Sequence, residues 1–318
     1  MTTIIKLDEI LSISKEIDAI SAMEEGFIKY SNGQTVVPPV AELLFENPPG
    51  DVHIKYGYIK KDDFYCIKIA SGFYDNTKLG IASSQGMMLL FSQKTGQPTA
   101  ILLDDGYLTD IRTAAAGALA AKYFAPKNIS AIGIIGTGGQ AKLQLEYLQK
   151  NTPCKTVWVW GRSAEKAQKY KDDLGTNFEV HIAKNPAEVA KNCNLIVTTT
   201  PSEKALLFAK DIKPGTHITA VGSDTLDKQE LDSEILKKAD LVISDSIPQS
   251  KSRGEIFQAT KAKAIVDEKV VELGTAIQDS SLQRTTENQI SVVDLTGVAV
   301  QDIMITQSVY KAYIQNKN

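Results

Sequence analysis

The stretch that most constrains this chain is a strand, a glycine turn and a helix in immediate succession. Residues 129–135 (ISAIGII) are an apolar run of strand length. They meet Gly136-Thr137-Gly138-Gly139-Gln140-Ala141, and helical patterning follows over 138–150. This is G-x-G-x-x-A in the context the motif requires. The first glycine permits the tight turn. The second leaves the backbone bare for a pyrophosphate, and the alanine lets helix and strand pack closely. The helix N-terminus then presents free N–H groups to the phosphates. A tight turn with no ligand is the competing reading. The continuation argues against it: strands are expected at 156–160, 177–183, 194–200, 217–222, 240–244 and 290–294. Helices are expected between them at 163–173, 186–191 and 230–238. This alternation predicts the α/β class, a doubly wound parallel Rossmann sheet covered on both faces.

The second strand, Thr156–Trp160, ends in Gly161-Arg162-Ser163, where an NAD-binding domain usually carries an acid for the ribose 2′-hydroxyl. No acid is present. Arg162 and Ser163 suit a 2′-phosphate, so the sequence points to NADP(H), with NAD(H) open. Thr199, at the end of the 194–200 strand, completes the expected cofactor set.

Ahead of this region the texture differs. Apolar residues Ile10, Ile13, Ile17, Ile20, Met23 and Phe27 recur at steps of three and four, which predicts one helix over 8–30. The proline-rich segment 34–50 is expected to be extended, with turns. Two runs, 52–59 and 64–71, read as a hairpin around Lys60-Lys61-Asp62-Asp63, and further strands are expected at 86–92 and 99–103. An alanine-rich helix covers 109–124, and a last helix covers 297–315. The expected division is an N-terminal α+β domain, 1–115 with the terminal helix at about 297–318, for substrate binding and dimerisation. A nucleotide domain spans 116–296.

A chain of 318 residues can bury two cores. Its net charge of −3 argues against nucleic acid or a membrane surface as a partner recruited by charge. The three scattered cysteines suit reduced thiols in the cytoplasm. The N-terminal residues lack the apolar run of a signal peptide. His53, His181 and His217 show no metal-ligand spacing, so no metal is expected, and His181 and His217 read as structural.

Four side chains stand out. In the proposed hairpin, paired positions sum to 123, so Lys55 faces Lys68. Opposed like charges destabilise a strand pair, and an anion between them removes the penalty. For Lys55 alone, reaching to water is the better reading. Arg112 is the only arginine before residue 162, and its forked donors suit a carboxylate. Asp224 follows the 217–222 strand, at the carboxyl end where ligands of parallel sheets bind. It is the candidate proton donor, with helix capping as the alternative.

Together, YCIKIASGFYDN around Lys68, RTAAAGALAAKY from Arg112, GTGGQA, VGSDTLDKQELDSEIL around Asp224 and DLTGVAVQD (294–302) resemble the ornithine cyclodeaminase/mu-crystallin family over residues 35–305. The resemblance implies a homodimer formed through N-terminal domains, acting with a nicotinamide cofactor on amino or imino acids. DVHIKYGYI and LLDDGYLTDIRTAAAG look most like the branch that reduces Δ1-pyrroline-2-carboxylate to proline. Lys68 and Asp224 are then catalytic, and Lys68 and Arg112 bind the substrate carboxylate. Many relatives carry arginine after the paired prolines. Here Val40 follows Pro38-Pro39, so Lys55 or His53 is expected to substitute. Ornithine cyclodeaminase, amino-acid dehydrogenase and a non-catalytic ligand-binding protein remain as alternatives.

Overall fold

The computed structural model describes residues 2–317. It begins with β1 (Thr3–Ile5), α1 (Leu7–Ile13), α2 (Ala19–Ser31), β2 (Thr35–Val36), β3 (Ala41–Glu46), β4 (Pro49–Ile59), β5 (Phe64–Gly72), β6 (Ser84–Ser92), β7 (Pro98–Leu102) and α3 (Tyr107–Phe124). The alternating region contains β8 (Ile132–Ile135), α4 (Gly139–Leu148), β9 (Thr156–Trp160), α5 (Ala164–Leu174), β10 (Glu179–Ile182), α6 (Pro186–Asn192), β11 (Leu195–Thr198), β12 (His217–Ala220) and α7 (Ser233–Lys238). After these come β13 (Leu241–Ser244), α8 (Gly254–Lys261), β14 (Val270–Glu272), α9 (Leu273–Gln278), β15 (Ser291–Asp294) and α10 (Ala299–Lys317). Two units separate by their internal contacts: residues up to Arg112 with those from Val298 onward, and Thr113–Gly297.

The first unit is built on the sheet β1-β7-β6-β5-β4-β2, with β3 also paired to β4. Its register places Lys55 opposite Lys68, as the hairpin count requires. One cross-strand row on the inner face reads Ile5, Leu102, Met88, Lys68, Lys55. All five are buried. The helices α2 and α10 pack on each other, and α10 packs on β4 and β5. Gly26 lets α2 approach α10, since a Cβ there would lie 2.8 Å from Met304 Cγ. Burying an aliphatic side chain in such a layer contributes about 2 kcal/mol. Two lysines in the same layer run against that gain. The neighbouring row on the opposite face is Ile4, Ile101, Leu89, Ile67, Tyr56. It is apolar throughout, yet Ile4 is 55% exposed and Tyr56 38%.

The single helix expected over 8–30 is two helices. Asp18 breaks it: its carboxylate accepts from Ser21 N at 3.1 Å and Ser21 Oγ at 2.7 Å, capping α2. The apolar spacing continues through the break, so periodicity alone could not reveal it. Lys55 is corrected as well: it is only 9% exposed and does not extend to water.

In the second unit all eight strands run parallel, in the order β10-β9-β8-β11-β12-β15-β13-β14. The chain leaves β8 toward β9 on one side and returns to β11 on the other. The carboxyl end of β8 is therefore the topological switch point, where open α/β sheets bind ligands. His217 is buried and hydrogen-bonded to Ser291 and Thr219, and burial pushes its pKa down to about 3. No helix among the described residues is long and apolar enough to cross a membrane.

Candidate active site

In the first unit, Lys68 on β5 and Arg112 on α3 converge on Asp302 of α10. Lys68 Nζ and Arg112 Nε each lie 3.2 Å from Asp302 Oδ1. The three residues are 2%, 6% and 1% exposed. Arg112 Nη1 also donates to Gln301 Oε1 at 3.3 Å, while Gln301 Nε2 points back at the Arg112 carbonyl at 3.5 Å. Arg112 Nε and both Asp302 oxygens nevertheless lack an aligned hydrogen bond. Burial pushes the Lys68 pKa below the usual lysine range; Asp302 opposes that shift and Arg112 adds to it. Asp104 accepts from Leu108 N at 2.9 Å, keeps one oxygen without a hydrogen-bond partner, and has its pKa pushed up to about 6 by burial. Desolvating an ion costs several kcal/mol, which only good geometry and further hydrogen bonds recover. Here the geometry is incomplete. Lys55 stands beside Lys68 in the same buried row.

His53 lies on the same face of β4 as Lys55, and Glu42 and Asp51 hold its ring at 3.3 and 3.5 Å. Those two acids account for its position without a ligand.

The second unit carries the glycine turn. Gly136 has φ +128°, and a Cβ there would lie 2.3 Å from Thr199 Oγ1. Thr199 itself is tied to β8 through Ile135 O. A Cβ at Gly138 or Gly139 would meet no atom within 4 Å, and no side chain caps α4. Bare backbone, open space and an uncapped helix N-terminus fit a dinucleotide pyrophosphate. Arg162 is exposed at the end of β9, and Ser163 caps α5 by accepting from Lys166 N at 3.2 Å. Asp224 belongs to this unit, is about half exposed, and pairs with Lys228 at 2.6 Å.

Three further carboxylates of the second unit are buried. Glu230 accepts from Thr198, Thr200 and Gly222; Glu255 accepts from the main-chain N–H groups of Glu230 and Leu231; Asp294 accepts from Ile256 N. Burial is the main cause that raises all three, Glu230 to about 7, Asp294 to about 8 and Glu255 well above the usual range. Near neutral pH the folded protein therefore holds protons that the unfolded chain has lost. Stability from these groups is present at low pH and is lost as pH rises toward 8. His217 acts oppositely, but only below its ordinary value of 6.5. Asp294→Asn is accordingly expected to flatten the loss of stability between about pH 6.5 and 8 by about 1–2 kcal/mol. Urea unfolding of both proteins at several pH values checks this, and parallel slopes would contradict it.

The model of the ornithine cyclodeaminase/mu-crystallin family matches residues 1–317. The chain belongs to that family. An uncharacterized cyclodeaminase of Sinorhizobium fredii is 38% identical over 294 residues, 91% of this chain and 89% of its own. Alanine dehydrogenase of Archaeoglobus fulgidus is 36% identical over 314 residues, 98% and 94% of the two chains. A solved archaeal alanine dehydrogenase dimer with bound NAD aligns with TM-score 0.90 at 34% identity, covering 100% of this chain and 97% of that one. Other relatives are named iminosuccinate reductase, ketimine reductase mu-crystallin and Δ1-pyrroline-2-carboxylate reductase.

Within this family member the structure brings Lys55, Lys68 and Arg112 into one buried layer and adds Asp302 and Asp104, which sequence reasoning missed. The available signal for Asp302 was the polar pair Gln301-Asp302 inside the apolar first turns of α10. Glu230 was equally hidden: in DKQELD it reads as one surface acid among several.

Proposed function

We propose that this chain is a nicotinamide-dependent oxidoreductase that reduces the C=N bond of a small α-imino acid, most specifically Δ1-pyrroline-2-carboxylate to L-proline. The observation that carries the reading is the pair of buried cations, Lys68 and Arg112, around an incompletely bonded Asp302. A substrate carboxylate would give Arg112 Nε the aligned acceptor that it lacks and add a second negative charge beside Lys68. When bound, the cofactor would supply the hydride; its pyrophosphate would lie on the turn formed by Gly136, Thr137, Gly138, Gly139 and Gln140, with Ala141 packing helix on strand and Thr199 beside the turn. Arg162 and Ser163 would meet a 2′-phosphate. Lys68 and Arg112 orient the imino acid and place positive charge at its carboxylate. Asp224, or a water that it orients, delivers a proton to the imine nitrogen, which makes the adjacent carbon a better acceptor. Most of the acceleration comes from positioning and fixed charge. We also propose that the apolar outer face of the first sheet pairs with a second copy, since it is too extensive to leave to water.

A second reading, dehydrogenation of a linear amino acid such as alanine, is favoured by the alanine dehydrogenase at 36% identity. An assay of cofactor oxidation over five- and six-membered cyclic imines and over pyruvate with ammonia separates the two. Ornithine with NAD+ serves as control. The cyclic five-membered imine is expected to react fastest, with NADPH preferred over NADH and that preference lost in Arg162→Ala. Preference for pyruvate with ammonia promotes the second reading. Ammonia release from ornithine without net cofactor turnover replaces both readings with a cyclodeaminase.

A further inference from the structure

We propose that Glu230 is a positioning residue that clamps the loop after β11 to the loop after β12 and thereby places Asp224. The role of Asp224 rests on the reaction proposed above; the clamp rests on geometry within the second unit. Glu230 Oε2 accepts from Thr198 Oγ1 at 2.7 Å and Gly222 N at 2.8 Å. Oε1 accepts from Thr200 N at 2.5 Å and Thr200 Oγ1 at 2.8 Å. Each oxygen thus meets one hydroxyl, which can reverse its role, and one main-chain N–H, which cannot. Four donors fill the acceptor positions of the carboxylate when it is ionised, and a threonine hydroxyl can turn to accept when it is protonated. A glutamine fits neither way round, because its NH2 would face a main-chain N–H in either orientation.

The two loops run backbone to backbone. A Cβ on Gly222 would lie 2.2 Å from Thr200 O and 2.4 Å from Thr200 N. Glu230 is itself fixed, with its N–H donating to Glu255 Oε1 at 2.7 Å and that of Leu231 to Glu255 Oε2 at 3.1 Å. Ser223 Oγ donates to Lys228 O at 2.7 Å, closing the intervening loop on itself. Asp224 lies two residues beyond the clamped glycine, and Thr199 lies between the two clamped threonines. One carboxylate therefore connects the wall of the glycine turn to the residue read as proton donor.

The test uses the full chain. Hydrogen exchange by mass spectrometry follows residues 198–202 and 220–226 in Glu230→Gln, alongside steady-state kinetics with the cyclic imine and NADPH. Exchange is expected to rise at least about tenfold in both segments together, with β9 and α5 unchanged, because the clamp's local opening energy falls. The value of kcat is expected to fall about 100-fold with less than about threefold change in the imine KM, the signature of a displaced reacting group. Glu230→Asp keeps the charge and recovers part of kcat. Should Glu230→Gln fail to fold, Gly222→Ala forces the same loops apart and is expected to give the same paired exchange signal. Unchanged exchange in both segments overturns the clamp. In an Asp224→Asn background, Glu230→Gln is expected to cost less than about threefold more, whereas an independent 100-fold loss overturns the link to Asp224. If Asp224→Asn alone keeps full kcat, the reading of Asp224 as proton donor fails, and the exchange result still decides the clamp.

Discussion

Lys68→Ala is expected to lower kcat/KM for the imino acid by about a thousandfold, since truncating one partner of a buried charge contact costs about 2–5 kcal/mol. The loss falls on both parameters, because the same ammonium holds the carboxylate and sets the charge around the reacting carbon. Cofactor affinity is expected to stay within about twofold, since the residues proposed to hold the cofactor do not include Lys68. The fold is expected to survive. Arg112 remains 3.2 Å from Asp302, so the carboxylate is not left without a cation. A loss below tenfold would mean that Arg112, with Lys55, binds the substrate without Lys68. Adding Asp302→Asn to Lys68→Ala restores the charge balance of the layer and is expected to leave activity low. Recovery of activity in that double variant would mean that charge count matters there and the position of Lys68 does not.

The Lys55–Lys68 pairing was legible because a hairpin register follows from its turn, and one count fixes every pair. The glycine turn was legible because its spacing encodes backbone geometry directly. Asp302 was not, because it reaches Lys68 from the opposite end of the chain, and no local pattern carries that distance. The carboxylates Glu230, Glu255 and Asp294 were hidden for a related reason: acids are almost always exposed, and only the tertiary fold supplies the main-chain donors that allow their burial. Strands β1 and β14 have three residues each, too few for alternation to show. Strand β3 is exposed along its whole length, so no buried face marked it as a strand. Arg162 was legible as a residue, but its role was not. It is exposed at the end of β9, where the proposed contact is made with a ligand and not with the chain.

Gly138→Val is expected to weaken cofactor binding by more than about 100-fold while leaving the ligand-free protein within about 2 °C of its normal Tm. The turn holds two kinds of glycine. Gly136 has φ +128° and its Cβ would strike Thr199 Oγ1 at 2.3 Å, so that glycine is required by the fold. Gly138 has φ −85° and ψ −171°, a conformation open to valine, and its Cβ would meet nothing within 4 Å. The turn itself gives no reason for a glycine there, which supports the reading that a ligand occupies the space. A ligand that binds only the folded state raises Tm in proportion to the logarithm of its concentration over Kd. The native chain is therefore expected to gain Tm with NADPH, Gly138→Val to show the native Tm and no gain, and Gly136→Ala to start from a lower Tm. If Gly138→Val keeps the full NADPH-dependent gain, the pyrophosphate is not seated on this turn, and the strand–turn–helix unit is structural alone.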